Sequence, residues 1–227
     1  MSKITLLHGS DHIIKSPNLS LGKDTNDYGK GFYCTKSVDM AKEWACKNDN
    51  DGYANKYSLD TNNLKILNLT DDKYNVLHWV AILLKHRIFT LNDAIAIQAK
   101  DYILDNYLID TSSYDIIIGY RADDSYFSFA RSFVNNAIPV RVLAQALKLG
   151  MLGEQTVLVS EKAFSQLKYV DSEIANKDVY YPKFLARDLK ARDDYSNIVK
   201  SLFRLKDDLF IMDIRRGDIK NDDPRLQ

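Results

Sequence analysis

The sequence predicts an α+β fold, on three observations. Short β-rich runs bounded by turn residues sit at both ends of a region closing near residue 170. Helical periodicity fills the middle of that region. After Tyr169 the pattern turns long, charged and helical. Together these predict a domain over residues 1–170 and a helical C-terminal extension over 171–227 packed on it.

Ile4–His8 is an apolar run entering the turn residues Gly9 and Ser10, so it reads as a strand. From Asp11 to Gly31 the chain is polar, with Pro17, Gly22, Gly29 and Gly31, and reads as loop. Gly31–Thr35 is a brief strand. Ser37 or Asp39 then caps a helix through Lys47, with Met40, Ala41 and Trp44 on one face. Tyr53–Leu59 and Leu64–Leu69 alternate as strands around the turn residues Asp60–Asn63. Tyr74–Phe89 and Asn92–Leu108 are helical, Asp115–Tyr120 is β-rich, and Ser125–Asn135 and Pro139–Leu149 are helical, the last with proline near its first turn. Gly150 and Gly153 bracket a tight loop. Gln155–Val159 is a strand, Glu161–Leu167 a helix, and Val179–Arg216 a long charged helical stretch.

Composition narrows the function classes. Of 227 residues, 45% are hydrophobic and 27% charged, an ordinary globular balance. Lys plus Arg equals Asp plus Glu at 31 each, split 17 and 17 before residue 151 and 14 and 14 after it. No half is a basic arm, so bulk charge does not steer the chain to nucleic acid or anionic lipid. Met1–His8 lacks the apolar core of a signal peptide, and the longest clean apolar stretch, Val80–Leu84, is too short to span a bilayer. The expectation is a cytoplasmic protein with no membrane partner, with Cys34 and Cys46 as reduced thiols. His78 and His86, eight apart with no intervening ligand, make no metal motif, so no metal is expected. The acids are lopsided in kind: only Glu43, Glu154, Glu161 and Glu173 are glutamates.

Three segments stand out together: His8-Gly9-Ser10 ending the first strand, Gly29-Lys30-Gly31-Phe32-Tyr33 with Trp44 eleven residues after the tyrosine, and Gly153-Glu154-Gln155-Thr156-Val157-Leu158-Val159 opening a late strand. In this order they resemble the ADP-ribosyltransferase superfamily of the His-Tyr-Glu type, shared by poly(ADP-ribose) polymerases and diphtheria-like toxins. Within it the chain looks most like an uncharacterised bacterial group known only as a domain of unknown function, through the same segments plus Ala41–Ala45 and Asp115–Phe127. The resemblance covers the chain to about Tyr169 and implies a split β-sheet core.

The resemblance also implies chemistry. NAD is the substrate. Gly9 offers its backbone N–H and C=O to the carboxamide, His8 bonds the adenosine ribose, and Ser10 reaches a ribose hydroxyl or the carboxamide. Tyr33 and Trp44 sandwich the pyridinium, whose charge suits an aromatic face. Ala41 stands where relatives often carry a small hydroxyl. The late-strand glutamate that stabilises the oxocarbenium-like transition state is replaced by Gln155, with Glu154 its neighbour one residue out of register. The implied activity is mono-ADP-ribosyl transfer to a protein or nucleic-acid acceptor, in a toxin or antiphage setting with an antitoxin or cognate inhibitor as partner. The alternative is an NAD-binding module that has lost turnover. Of Asp123 and Asp124, one caps the following helix and the other, taken as Asp124, serves as general base at the cleft mouth. Arg121 clamps a pyrophosphate or pairs with one of those acids.

Overall fold

A computed structural model describes residues 3–88, 90–91, 93–121, 124–147, 153–201, 203, 205–217 and 219–226; the side chains of residues 124–126 are outside the described ones. Among the described residues, seven strands form two sheets. One has the order β1-β3-β7, from β1 (Lys3–Ser10), β3 (Gly52–Asp60) and β7 (Leu167–Ala175), all antiparallel. The other has the order β2-β6-β5-β4, from β2 (Phe32–Cys34), β6 (Glu154–Leu158), β5 (Ile116–Tyr120) and β4 (Ile66–Asn68), with β4 parallel to β5. The fold is therefore mixed α+β.

Both faces of β1 are covered, because its central residues Leu6 and Leu7 are apolar in succession. Leu6 joins Phe32, Tyr57, Leu59, Ile116 and Leu158 in a cluster drawn from both sheets. Leu7 points the other way, onto Ala41 of α1 (Val38–Ala45). Ser37 caps α1, its side chain accepting from Met40 N–H. The largest cluster lies on the second sheet, under α2 (Val76–His86), α3 (Ala94–Tyr107), α4 (Asp124–Val134), α5 (Val140–Ala146) and, later in the chain, α8 (Ile211–Arg216). α2 is apolar nearly all round, from Val76 to Leu84, and accordingly buried. Asn75 and His78 form a capping box at its start.

Two expectations change. Leu167–Ala175, expected to close a helix and then connect, is a full strand on β3, and a boundary at residue 170 falls inside it. Its signal is faint because most of it is solvent-facing; Val170 and Ile174 are exposed, and the register slips opposite Lys56 and Tyr57. The strands expected on either side of Asp60–Asn63 do not pair: β3 and β4 lie in different sheets. The charged stretch holds two helices, α7 (Lys177–Lys200) and α8; α6 (Glu161–Ser165) precedes β7.

α7 is fastened to α1 by a forked ion pair. Arg187 donates from Nε to Glu43 Oε2 and from its terminal nitrogen to Oε1, each at 2.8 Å. The Glu43 side chain is 2% exposed and that of Arg187 26%. Removing one partner of such a pair costs most when the survivor is the buried one. Arg187→Met is therefore expected to lose about 3 kcal/mol in urea unfolding, and Glu43→Gln less, since Arg187 can turn to solvent. Equal losses would contradict this asymmetry.

Candidate functional site

The two sheets meet at one bridge among the described residues. Leu7 and Thr35 exchange both backbone hydrogen bonds, each 2.8 Å. Continuing that antiparallel register would place Gly9 opposite Tyr33. Among the described residues no such pair forms; β2 keeps β6 at its other edge, and β1 and β2 part. The gap is a cleft of about 800 Å³. Seven of the eight sequence-selected residues line it: His8, Gly9 and Ser10 from β1, Tyr33 from β2, Trp44 from α1, Arg121 after β5, and Gln155 from β6. The eighth, Asp124, is the first residue of α4, with its side chain outside the described ones; Asp123 is outside the described residues altogether.

Strand alternation explains the edge. Leu7 turns its N–H and C=O toward β2, so two residues on Gly9 turns the same pair toward the cleft. Tyr33 C=O, which Gly9 N–H would otherwise meet, takes the His8 imidazole instead, with Nδ1 at 2.7 Å. A nitrogen bonded to a carbonyl must carry the proton, so neutral His8 has its lone pair on Nε2. Burial lowers the His8 pKa, against an opposing bond to Tyr33. Phe32 stacks on the ring at 4.3 Å.

Gly9 is demanded by packing as well. A Cβ there would lie 2.0 Å from Ala41 O and 2.8 Å from Ala45 N. The glycine thus admits α1 against β1; its missing side chain would point at the helix, not at a ligand. Ser10 is already engaged, its hydroxyl donating to His12 C=O at 2.5 Å and accepting from Asn55 Nδ2 at 2.9 Å. Tyr33 is held at its phenol, which donates to Gly29 C=O at 2.7 Å and accepts from Tyr28 N–H at 3.0 Å. The Trp44 face carries a cation: the Arg121 guanidinium sits 4.3 Å above it, and Phe184 of α7 meets its edge.

Gln155, not Glu154, faces the cleft; Gln155 is buried and Glu154 exposed. Its amide Nε2 donates to Asp27 Oδ2 and to Tyr120 C=O, both at 3.2 Å. Asp27 is itself 8% exposed, with Arg87 Nε 3.7 Å from its Oδ1. Sequence reasoning passed over Asp27, Arg87 and Asn55. Asp27 stands two residues before Gly29 in a loop rich in acids, and only the fold separates it from Asp24. Phe184, Asp188 and Arg192 of α7 complete one wall. Among the described residues no group of His, Cys, Asp and Glu is placed to hold a metal ion, and no helix is long and apolar enough to cross a membrane.

A family model described as a protein of unknown function (DUF3990) matches residues 4–169. The chain belongs to that family. No curated protein and no solved structure matches it. The DUF3990 segment holds His8, Asp27, Tyr33, Trp44, Arg121 and Gln155, whereas the α7 wall lies beyond it.

Two measurements follow. Gly9→Ala should cost about 3 kcal/mol, because the added methyl meets helix backbone that cannot rotate away; a near-neutral unfolding midpoint would remove α1 packing as the reason for the glycine. His8, His78 and His86 all have pKa values lowered, chiefly by burial. The unfolded chain then binds more protons than the folded one below about pH 6.5. Melting temperature should therefore fall from pH 7.5 to 5.5, and His8→Asn should flatten that slope. A slope unchanged in His8→Asn would show that His8 titrates alike in both states.

Proposed function

We propose that the chain is an NAD-consuming mono-ADP-ribosyltransferase. One observation carries this reading: His8, the open Gly9 edge, Tyr33, Trp44 and Gln155, drawn from separate elements, converge on a single cleft. Its volume, about 800 Å³, suits a dinucleotide-sized ligand. Its charge suits a diphosphate: Lys23, Lys47, Arg87, Arg121 and Arg192 outnumber Asp11, Asp27 and Asp188 in a chain that is neutral overall.

In this reading Gly9 N–H and C=O hold the nicotinamide carboxamide, Tyr33 supports the ring, and His8 Nε2 accepts a hydrogen bond from a ribose hydroxyl. The Trp44 face that carries Arg121 receives the pyridinium, and the guanidinium moves to the phosphates. The C1′–N bond then breaks, its electron pair leaving on neutral nicotinamide. An acceptor lone pair forms the new bond at C1′, and its proton passes to solvent. The acceptor is a protein or nucleic acid, and a toxin or antiphage role restrained by a cognate inhibitor is the setting we propose.

A second reading, an NAD-binding module without turnover, is favoured by one feature: Gln155 brings no charge and its amide N–H groups already serve Asp27 and Tyr120. Incubation with NAD labelled separately in the nicotinamide and adenylate halves, with cell extract, divides the two. Transferase activity predicts free nicotinamide plus label on an acceptor, removed by protease or by nuclease. A melting shift with NAD but no nicotinamide release would leave the binding module; neither shift nor release would end both readings.

A further inference from the structure

Gln155 sits where the resemblance calls for a carboxylate, and its surroundings forbid one in this arrangement. Tyr120 C=O already accepts from Tyr28 Oη at 2.7 Å and Trp79 Nε1 at 3.1 Å, and Gln155 Nε2 joins them at 3.2 Å. The same nitrogen bonds the Asp27 carboxylate at 3.2 Å. A glutamate at 155 would face a carboxylate and a carbonyl with no donor to either, and two carboxylates so close do not both ionise readily. The amide is required because its neighbour is an acid.

That neighbour lines the cleft. Asp27 is 8% exposed, lies on the loop just ahead of β2, and is oriented from two sides, by Gln155 at Oδ2 and by Arg87 near Oδ1. We propose that Asp27 is the catalytic carboxylate of this cleft, bonding the nicotinamide-ribose hydroxyl and offsetting the charge that develops at C1′ as nicotinamide leaves, while Gln155 is a positioning residue that aims it. The assignment rests on the transferase reading above. The negative charge is moved from strand β6 to the β2 approach loop, and a neutral donor takes the strand position.

The experiment measures nicotinamide release from NAD, and NAD binding by melting shift, for the full chain and three variants. Asp27→Asn, which keeps shape and loses charge, should retain the NAD shift and lose release at least about 100-fold, the scale of one electrostatic group in a transition state. Asp27→Glu, which keeps the charge, should retain more release than Asp27→Asn. Gln155→Glu should release less than the unaltered chain. The proposal is overturned if Asp27→Asn stays within about threefold of the unaltered chain, or if Gln155→Glu is the faster enzyme. Should Asp27→Asn melt too low to assay, Gln155→Glu alone decides. If the unaltered chain binds NAD yet releases nothing, the transferase reading fails and the assignment goes with it, a result distinct from an active chain indifferent to Asp27.

Discussion

Everything at the cleft depends on where two antiparallel strands stop pairing. The Leu7–Thr35 bridge joins the sheets, and one pair further along β1 and β2 have parted while β2 keeps β6 at its other edge. A backbone ladder that ends abruptly leaves polar groups that must be satisfied. Here the Tyr33 carbonyl is satisfied by the His8 side chain, and the Gly9 edge is left toward the cleft. The imidazole therefore does a structural job through Nδ1 and carries its lone pair on Nε2.

The seam is kept open by what packs behind it. α1 reaches β1 because Gly9 has no side chain, and that contact sets Trp44 over the cleft. α7 is then clamped to α1 through Glu43, a carboxylate that would be costly to bury without Arg187. Lys42 and Glu173 add a second tie, at 2.8 Å, between α1 and β7. Glu43 is thus a fastening for the C-terminal helix, and its place beside Trp44 in the sequence reflects helix geometry: adjacent residues on a helix point to different sides.

What was legible in the sequence follows the strength of the local signal. β1, α1 and α2 carry capping residues or dense apolar runs, and their positions agree with expectation to within a few residues. β7 is illegible as a strand because most of it faces solvent, with Val170 and Ile174 exposed. Gly9, Tyr33, Trp44 and Gln155 were chosen from ordered motifs, and the fold brings them to one cleft. Nothing local separates Asp27 from Asp24, three residues away in the same polar loop. Its partners, Gln155 and Arg87, are 128 and 60 residues distant in the chain. A property created by tertiary contact between ordinary residues has no signature in a window of sequence.

The shortage of glutamate takes on a different sense in this light. Glu43, the one glutamate buried on the helix that carries Trp44, is held away from the cleft by Arg187. Glu154 faces solvent one position before Gln155. The cleft's acids are all aspartates, Asp11 and Asp27 from loops and Asp188 from α7. α7 lies outside the segment matched by the family, yet Phe184 meets Trp44 and Arg192 faces the same space. The family segment therefore supplies the seam, and the C-terminal helix supplies one wall of the same cleft.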